Sequence, residues 1–506
     1  MTETGARAAP APSRARSIGV PAWAPVAGVT ALAAVLAFAL IGDKSVWLDE
    51  AFSIGVAQST WAELWDVVTT RQANMSPFYV LLKLWSPVGD SEAAVRALPA
   101  VLAVASVPLV YVLARRAFGT VVAVVAAVLL VVNAFFVQYA QEVRGYSMVL
   151  LLVTAATYLL VVAVEAGGPR SWTAYALVAA LSVYVHFFAA FVLLAHLVAL
   201  PFAPRVRWRR AIGAFAGIAV LVAPLALFVA TRDVGQIDWI PEPTVKVVYA
   251  ALEDVTGGGG PLPFAAYAVA AAAGAVVAAR ALRDRVARWR HVLVVAWAAL
   301  PVALSLALSL AGKPMFVSKY LIVALPGIVI LAALGIAALR RPAFVAGAAA
   351  LLVALSGLGL YDWYGRYEKD DWRGASAFVM QRVERGDGIV FYNARERRGF
   401  EYYVVARDDE ERAPKPIYPR QRWGELEAEQ PKPGKLDFRW LARQVGARRR
   451  VWLVLSHEGR TRNSRRTAAR IAATIEDEGL RALDDAHFTR IDVRLYEQRL
   501  HPEIEE

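Results

Sequence analysis

The chain has 506 residues, 58% of them hydrophobic and 19% charged, with no cysteine, a mean hydropathy of +0.44 and a formal net charge of +12. The apolar fraction exceeds the roughly 45–50% of soluble proteins, and the charged fraction falls below their roughly 25%. These values exclude a disordered chain, a disulfide scaffold and any thiol-based metal centre, nucleophile or redox pair.

The averages conceal a division near Tyr361. Residues 1–362 hold 26 Lys and Arg with 17 Asp and Glu, whereas the much shorter stretch 363–506 holds 29 and 26. The first part has a membrane composition and the second a soluble one. Residues 1–21, rich in Ala, Pro and Arg, predict a disordered cytoplasmic tail. A bilayer core about 30 Å thick needs about 20 apolar residues per helix. Windows of that length predict eleven transmembrane helices, at 22–42, 97–114, 121–138, 147–164, 172–187, 187–203, 211–230, 263–281, 292–311, 319–339 and 343–362. The first reads as a retained anchor, because its apolar run continues without a small-x-small cleavage site. The stretch 77–88 is too short to span and predicts an interfacial helix. One alternate set of loops carries 17 basic and 3 acidic residues, the other 9 and 14. The excess of basic residues marks the cytoplasmic side. The N-terminus is therefore predicted inside and the soluble tail, 363–506, outside.

The first outer loop begins Trp47-Leu48-Asp49-Glu50-Ala51-Phe52-Ser53. Adjacent helical residues differ by about 100° in direction, so one carboxylate can face a cavity while the other fixes geometry. Acids favouring the first turn of a helix account for the pair equally simply. An amphipathic segment follows, with Trp61, Leu64, Trp65 and Val68, and Trp favours membrane interfaces. The second outer loop, Gln138-Tyr139-Ala140-Gln141-Glu142-Val143-Arg144-Gly145-Tyr146, places ionisable groups close to membrane depth, where they usually face protein or water. Glu142 and Arg144 are too close for a helical ion pair. They are available to Asp49 or to a phosphate, or to a structural ion pair at the loop edge.

His186 lies between two apolar runs, where a histidine packs more often than it catalyses, and His196 reads as packing too. No ligand spacing specifies a metal site, so a divalent cation stays an unsupported option. Gly257-Gly258-Gly259-Gly260 shares an outer loop with Gln236–Pro241 and reads as flexibility, since these glycines do not follow a strand and open a helix. Lys319, in Ser318-Lys319-Tyr320-Leu321, sits at the mouth of a span. It can pair with a lipid phosphate or snorkel to the interface.

The soluble tail opens Tyr367-Glu368-Lys369-Asp370-Asp371-Trp372-Arg373-Gly374-Ala375. Its pattern predicts helices through 378–383, 400–405 and 465–478, and strands at 388–392, 451–456 and 489–496. Segment 406–437, rich in Pro and charge, reads as a loop. That order predicts a small α/β domain with a partly parallel sheet. Its net charge of only +3 argues against a nucleic-acid partner. The run Arg448-Arg449-Arg450 reads as a solvated or headgroup-facing edge.

Taken in order, these segments resemble the polytopic GT-C glycosyltransferases, and most nearly the bacterial branch of the dolichyl-phosphate-mannose protein mannosyltransferase-like family 39. The resemblance rests on Trp47–Ser53, on Pro77-Phe78-Tyr79-Val80-Leu81-Leu82-Lys83-Leu84-Trp85, on Tyr139–Tyr146, and on Lys319-Tyr320-Leu321 followed by Leu325-Pro326. It covers the membrane half, 22–362. Related chains often have His-Pro-Pro where this one has Asn74, Ser76 and Pro77, and Arg-Tyr where it has Lys319-Tyr320. The second departure keeps the charge but loses bidentate geometry.

The resemblance implies a GT-C-like membrane domain with an extracytoplasmic α/β domain, in a bacterial plasma membrane. It implies transfer of a hexose or pentose from a polyprenyl-phosphate donor to an envelope glycan, lipid or protein on the outer face, with inversion. Asp49 is the expected general base, with Glu50 beside it as the second catalytic carboxylate. Glu142, Arg144, Lys319, Tyr320 and His186 are the expected substrate and phosphate contacts. No cofactor beyond the donor lipid is implied. A transporter or flippase is the rival, and it predicts ionisable groups near span midpoints. Here the acids gather at outer edges. A membrane scaffold for envelope partners leaves Asp49, Glu50, Glu142 and Arg144 unexplained as a set.

Overall fold

The computed structural model describes residues 23–231, 240–392, 395, 397–405, 409–424, 436–456 and 462–498. The predicted N-terminal tail, most of the Gln236–Pro241 segment and parts of the 406–437 loop lie outside them. Helix α1 (Ala24–Phe38) is followed by three shorter helices, α2 (Leu48–Gln58), α3 (Trp61–Asp66) and α4 (Ser76–Trp85). Then come α5 (Glu92–Phe118), α6 (Thr120–Val131), α7 (Ala134–Ala140), α8 (Tyr146–Ala166), α9 (Pro169–Val185), α10 (Ala189–Ala199) and α11 (Trp208–Thr231). A short helix α12 (Val245–Val255) precedes α13 (Pro261–Ala281) and α14 (Arg288–Leu310). A 3-10 turn, Ser318–Ala324, leads into α15 (Leu325–Ala337), and α16 (Pro342–Tyr361) closes the bundle.

Helices cover all eleven predicted spans. Among the described residues seven of them are long and apolar enough to cross a membrane, or eight when α6 and α7, bent by 61° to each other, are counted as one span. The other three, α1, α9 and α10, have 15, 17 and 11 residues and fall short of that length. The chain is a multi-pass membrane protein. The stretch 77–88 is helical, as expected for an interfacial segment. Ahead of it, α3 is closed by a capping box between Thr60 and Glu63, buries Leu64 and exposes Trp61 and Trp65.

Two expectations change here. The loop that was to be flexible contains α12, and its glycines form a tight turn. Gly257, Gly258, Gly259 and Gly260 all have positive φ, which glycine adopts without steric cost. A methyl at Gly259 would stand 2.7 Å from the Gly359 nitrogen, and one at Gly359 would collide with the Gly257 carbonyl. The glycines thus let the turn pack directly on the backbone of α16.

The C-terminal sheet domain adds α17 (Trp372–Arg382), β1 (Gly388–Phe391), α18 (Arg397–Val405), β2 (Lys415–Tyr418), α19 (Phe438–Gly446), β3 (Arg450–Ser456), α20 (Arg462–Asp477), β4 (Leu480–Phe488) and β5 (Ile491–Gln498). The strand order is β2-β1-β3-β5-β4. Strands β2, β1 and β3 are parallel, whereas β5 runs antiparallel to β3 and β4, so the sheet is partly parallel as expected. Strand β2 corrects the reading of 406–437 as loop throughout. Side chains alternate across β3. Val451, Leu453 and Leu455 pack with Leu441, Val445, Ile471 and Ile475 of α19 and α20. Trp452 and Val454 join the core that includes Val379, Phe400 and the helix bundle. Arg450 is buried against Glu384 and Asp387 and is not a solvated edge.

Candidate active site

Three chain segments meet where the sheet domain rests on the bundle. The first is the N-terminal turn of α2, where Asp49 and Glu50 face the positive end of the helix dipole. Their adjacency separates them. Glu50 points inward and is fully buried. Its Oε1 accepts from Arg96 Nε at 2.8 Å and from the Val143 amide at 3.2 Å, while its Oε2 accepts from Arg96 Nη2 at 2.8 Å and Lys369 Nζ at 2.9 Å. Arg96 spends its remaining N–H groups on the Ile41, Lys44 and Ser45 carbonyls. One buried carboxylate thereby ties α5, the α1–α2 loop, the 141–145 loop and the stalk of the sheet domain together. Burial alone would raise the Glu50 carboxyl, but Arg96 and Lys369 outweigh it and bring it down to about 2. Both oxygens of Glu50, expected beside Asp49 as a second catalytic carboxylate, are thus buried and occupied by protein donors.

Asp49 turns to the rim. Its Oδ2 accepts from Lys319 Nζ at 3.1 Å, with the two side chains 26% and 16% exposed. Burial pushes the Asp49 carboxyl up, but Lys319 and Arg144 together hold it below its ordinary value. Arg144 reaches the same turn, with Nη1 3.3 Å from Ser53 Oγ and 3.5 Å from the Asp49 carbonyl. Ser53 Oγ in turn donates to that carbonyl at 3.0 Å. Lys319 lies 5.7 Å from the centre of the Trp47 ring and 5.9 Å from that of Tyr320.

The second segment, residues 141–145, is positioned by what it caps. Helix α1 ends at Phe38 with unpaired carbonyls. Gln141 Nε2 supplies them, donating to Ala37 at 3.1 Å and Ala39 at 2.7 Å, while its Oε1 accepts from Trp363 Nε1 at 3.0 Å. Next to it Glu142 is buried with Oε1 lacking a hydrogen-bond partner. Burial pushes its carboxyl up to about 7, against the opposing pull of Lys369.

The third segment is the 3-10 turn carrying Lys319 and Tyr320. The Tyr320 ring stacks obliquely on His186 at 4.9 Å and Phe188 at 5.1 Å. His186 is buried, its Nδ1 accepting from the Phe188 amide at 3.3 Å, and Nε2 has no partner. It lies behind Tyr320 and Tyr146, one layer back from the ion pair. His196 packs as expected, between Thr157 Oγ1 at 3.0 Å and Tyr175 Oη at 3.1 Å.

Asp49, Arg144, Lys319 and Tyr320 thus converge, with Glu142 and His186 behind them. Among the described residues no group of three or more His, Asp or Glu side chains is arranged to hold a metal ion. Arg96 and Lys369 were not expected at the site. Lys369 stood in a charged run just after the last span, which was its only signal. The Trp372 that follows is fully buried, with Gly399 against its ring face, and Arg373 donates to the Gly42 carbonyl at 2.7 Å and to Glu92 at 3.0 Å. These contacts seat the sheet domain on the first loop.

The helix body thus carries a small sheet domain docked over an Asp-bearing first loop. Residues 77–230 match the family model described as dolichyl-phosphate-mannose-protein mannosyltransferase. That segment includes Glu142, Arg144 and His186 but neither Asp49 nor Lys319. None of the curated protein sequences matches the chain. Among solved structures, ArnT from Cupriavidus metallidurans bound to undecaprenyl phosphate is similar, with TM-score 0.59 and 14% identity, covering 94% of this chain and 98% of that one. The archaeal oligosaccharyltransferase AglB from Archaeoglobus fulgidus, in complex with an inhibitory peptide and a dolichol-phosphate, is similar at TM-score 0.51 and 12% identity, covering 90% and 72%. The expected GT-C resemblance and fold are borne out.

Proposed function

We propose that this protein is a membrane glycosyltransferase that moves a hexose or pentose from a polyprenyl-phosphate donor to a cell-envelope glycan, lipid or protein on the outer face of a bacterial plasma membrane. The observation that carries the reading is the cluster of Asp49 with Lys319 and Arg144 at the rim of the bundle. A carboxylate beside two cations is what transfer from a lipid phosphate requires. The acceptor hydroxyl attacks the anomeric carbon, the bond from that carbon to the phosphate oxygen breaks, and the hydroxyl proton passes to Asp49. Arg144 and Lys319 hold the departing phosphate as its charge grows. The sugar passes through an oxocarbenium-like transition state, as in glycoside hydrolysis, and a single displacement inverts the centre.

The ion pair also supplies the order of events. With Lys319 engaged, Asp49 is a weak base. A donor phosphate competes for Lys319, drawing it off the carboxylate, and offsets the field of the nearby Arg144, so Asp49 becomes more basic only when the leaving group is in place. Glu50 positions the turn that carries Asp49, and Tyr320 with His186 supports the Lys319 side. The similar ArnT structure holds undecaprenyl phosphate, which supports a donor of this class.

The test is incubation of the purified protein in detergent with radiolabelled polyprenyl-phosphate sugars and an envelope extract. Transfer that depends on the protein supports the reading; donors left intact across hexoses and pentoses refute it. A flippase would move the intact lipid between leaflets of a vesicle without cleaving it, which the same label detects.

A further inference from the structure

The chain enters α2 through residues 39–47, which form no regular element beyond a turn. The N-cap of α2 is Trp47, with extended backbone and no side-chain hydrogen bond to the first turn. Tryptophan carries no acceptor for that turn, so nothing local fixes the angle at which Asp49 and Glu50 leave the loop. The fixing groups come from distant parts of the chain. On one side Arg96 holds the Ile41, Lys44 and Ser45 carbonyls. On the other, the sheet domain reaches the same loop. Arg373 of α17 donates to the Gly42 carbonyl at 2.7 Å and to the Asp43 carbonyl at 3.1 Å, and its amide donates to Ser45 Oγ at 3.1 Å.

Tyr403 of α18 makes the contact nearest to Asp49. Helix α18 packs on α2, and Tyr403 is buried there. Its Oη accepts from the Val46 amide at 2.8 Å, three positions before Asp49. The same atom lies 3.1 Å from Ser45 Oγ and 2.9 Å from Glu92 Oε1. The hydrogens of this cluster follow from the chemistry of its members. A carboxylate only accepts, so the single hydroxyl hydrogen of Tyr403 goes to Glu92. The Tyr403 oxygen is left to accept, from the Val46 N–H and from the Ser45 hydroxyl. Glu92 thereby turns the Tyr403 lone pairs towards the entry of α2. Val46 is fully buried, so loss of this acceptor leaves its N–H unsatisfied unless the turn moves.

We infer that Tyr403 is a positioning residue: its hydroxyl, oriented by Glu92, holds the Val46 amide and so fixes the first turn of α2 in the direction that aims Asp49 at the acceptor hydroxyl. Glu50 ties that turn to the bundle from within, and Tyr403 ties it to the sheet domain from outside. The hold on the turn is independent of the proposed activity; its consequence for transfer rests on that reading.

The experiment has two arms on the full-length protein in detergent. Tyr403→Phe removes the hydroxyl and keeps the ring. Tyr402→Phe is the control, because Tyr402 Oη ties the same helix to the Asp90 carbonyl instead, at 2.6 Å. In the first arm, hydrogen exchange read by mass spectrometry follows peptides covering residues 42–51 and strand β3. Exchange in 42–51 should rise by roughly tenfold in Tyr403→Phe, stay at the parent rate in Tyr402→Phe, and leave β3 protected in both. Unchanged exchange in Tyr403→Phe, an equal rise in Tyr402→Phe, or a rise that extends to β3 overturns the inference whether or not the protein transfers sugar. In the second arm, transfer by Tyr403→Phe should lose kcat by roughly tenfold to a hundredfold with the donor KM unchanged, since Arg144 and Lys319 stay in place, and Tyr402→Phe should match the parent. A raised donor KM at the parent kcat, or no loss at all, overturns the link from the turn to the chemistry. Absence of transfer in the parent protein refutes the proposed function instead, and leaves the exchange result to decide the hold of Tyr403 on the turn.

Discussion

Replacing Glu50 by Gln tests the division of labour between the two adjacent carboxylates. The substitution keeps the shape and removes one charge. It leaves Arg96 and Lys369, 1% and 3% exposed, as two buried cations without their shared anion. Breaking a buried pair by removing one partner costs about 3–5 kcal/mol. The pH linkage gives a similar figure. The Glu50 carboxyl stands at about 2 in the folded protein against 4.5 as the ordinary value, which corresponds to about 3 kcal/mol. Because the folded value is depressed, this stability is fully present above pH 4.5 and is lost as pH falls towards 2. Denaturant unfolding in detergent micelles, followed by far-UV circular dichroism, should therefore show Glu50→Gln several kcal/mol less stable at neutral pH, with the gap closing below pH 4.5. Asp49→Asn is the contrast. Its pair with Lys319 is 26% and 16% exposed, and such pairs contribute about 1 kcal/mol or less. A Glu50→Gln protein as stable as the parent, or an Asp49→Asn protein as unstable as Glu50→Gln, would refute the assignment of Glu50 to architecture and Asp49 to chemistry.

Other outcomes follow from the same geometry. The raised Glu142 carboxyl costs stability above about pH 7 and nothing below 4.5, so Glu142→Gln should be more stable than the parent at pH 8, by up to about 3 kcal/mol, and equal to it at pH 4; equal stability at both would contradict the buried-carboxyl account. Arg144→Met should weaken donor turnover strongly, while Lys319→Arg, which retains the charge, should keep more activity than Lys319→Met; steady-state kinetics with a polyprenyl-phosphate sugar gives the ranking. Gly359→Ala should cost about 1–3 kcal/mol by overpacking, because the added methyl meets the Gly257 carbonyl; thermal unfolding in detergent measures it.

The helix body was legible because the bilayer sets a length and a polarity that few other folds demand. The side chains that close the site were less so. Asp49 stood out by its place just after a span, but its separation from Glu50 depends on partners far along the chain: Arg96, 46 residues on, and Lys369, 319 residues on. No spacing rule joins such distant residues. The glycine turn was misread because positive φ and flexibility use the same residue, and only the close approach of Gly359 tells them apart. In the sheet domain, β1, β3 and β5 announced themselves by apolar runs or alternation. Strand β4 did not, since most of Leu480–Phe488 is exposed at the sheet edge, with Asp484, Asp485 and His487 along it. Strand β2 was hidden by the prolines around Ile417.

The most direct measurement is release of polyprenyl phosphate by purified parent and Asp49→Asn proteins, with donor binding measured on the same samples. The account predicts that both bind donor and that only the parent releases polyprenyl phosphate in the presence of an acceptor. Release by Asp49→Asn at the parent rate would contradict it.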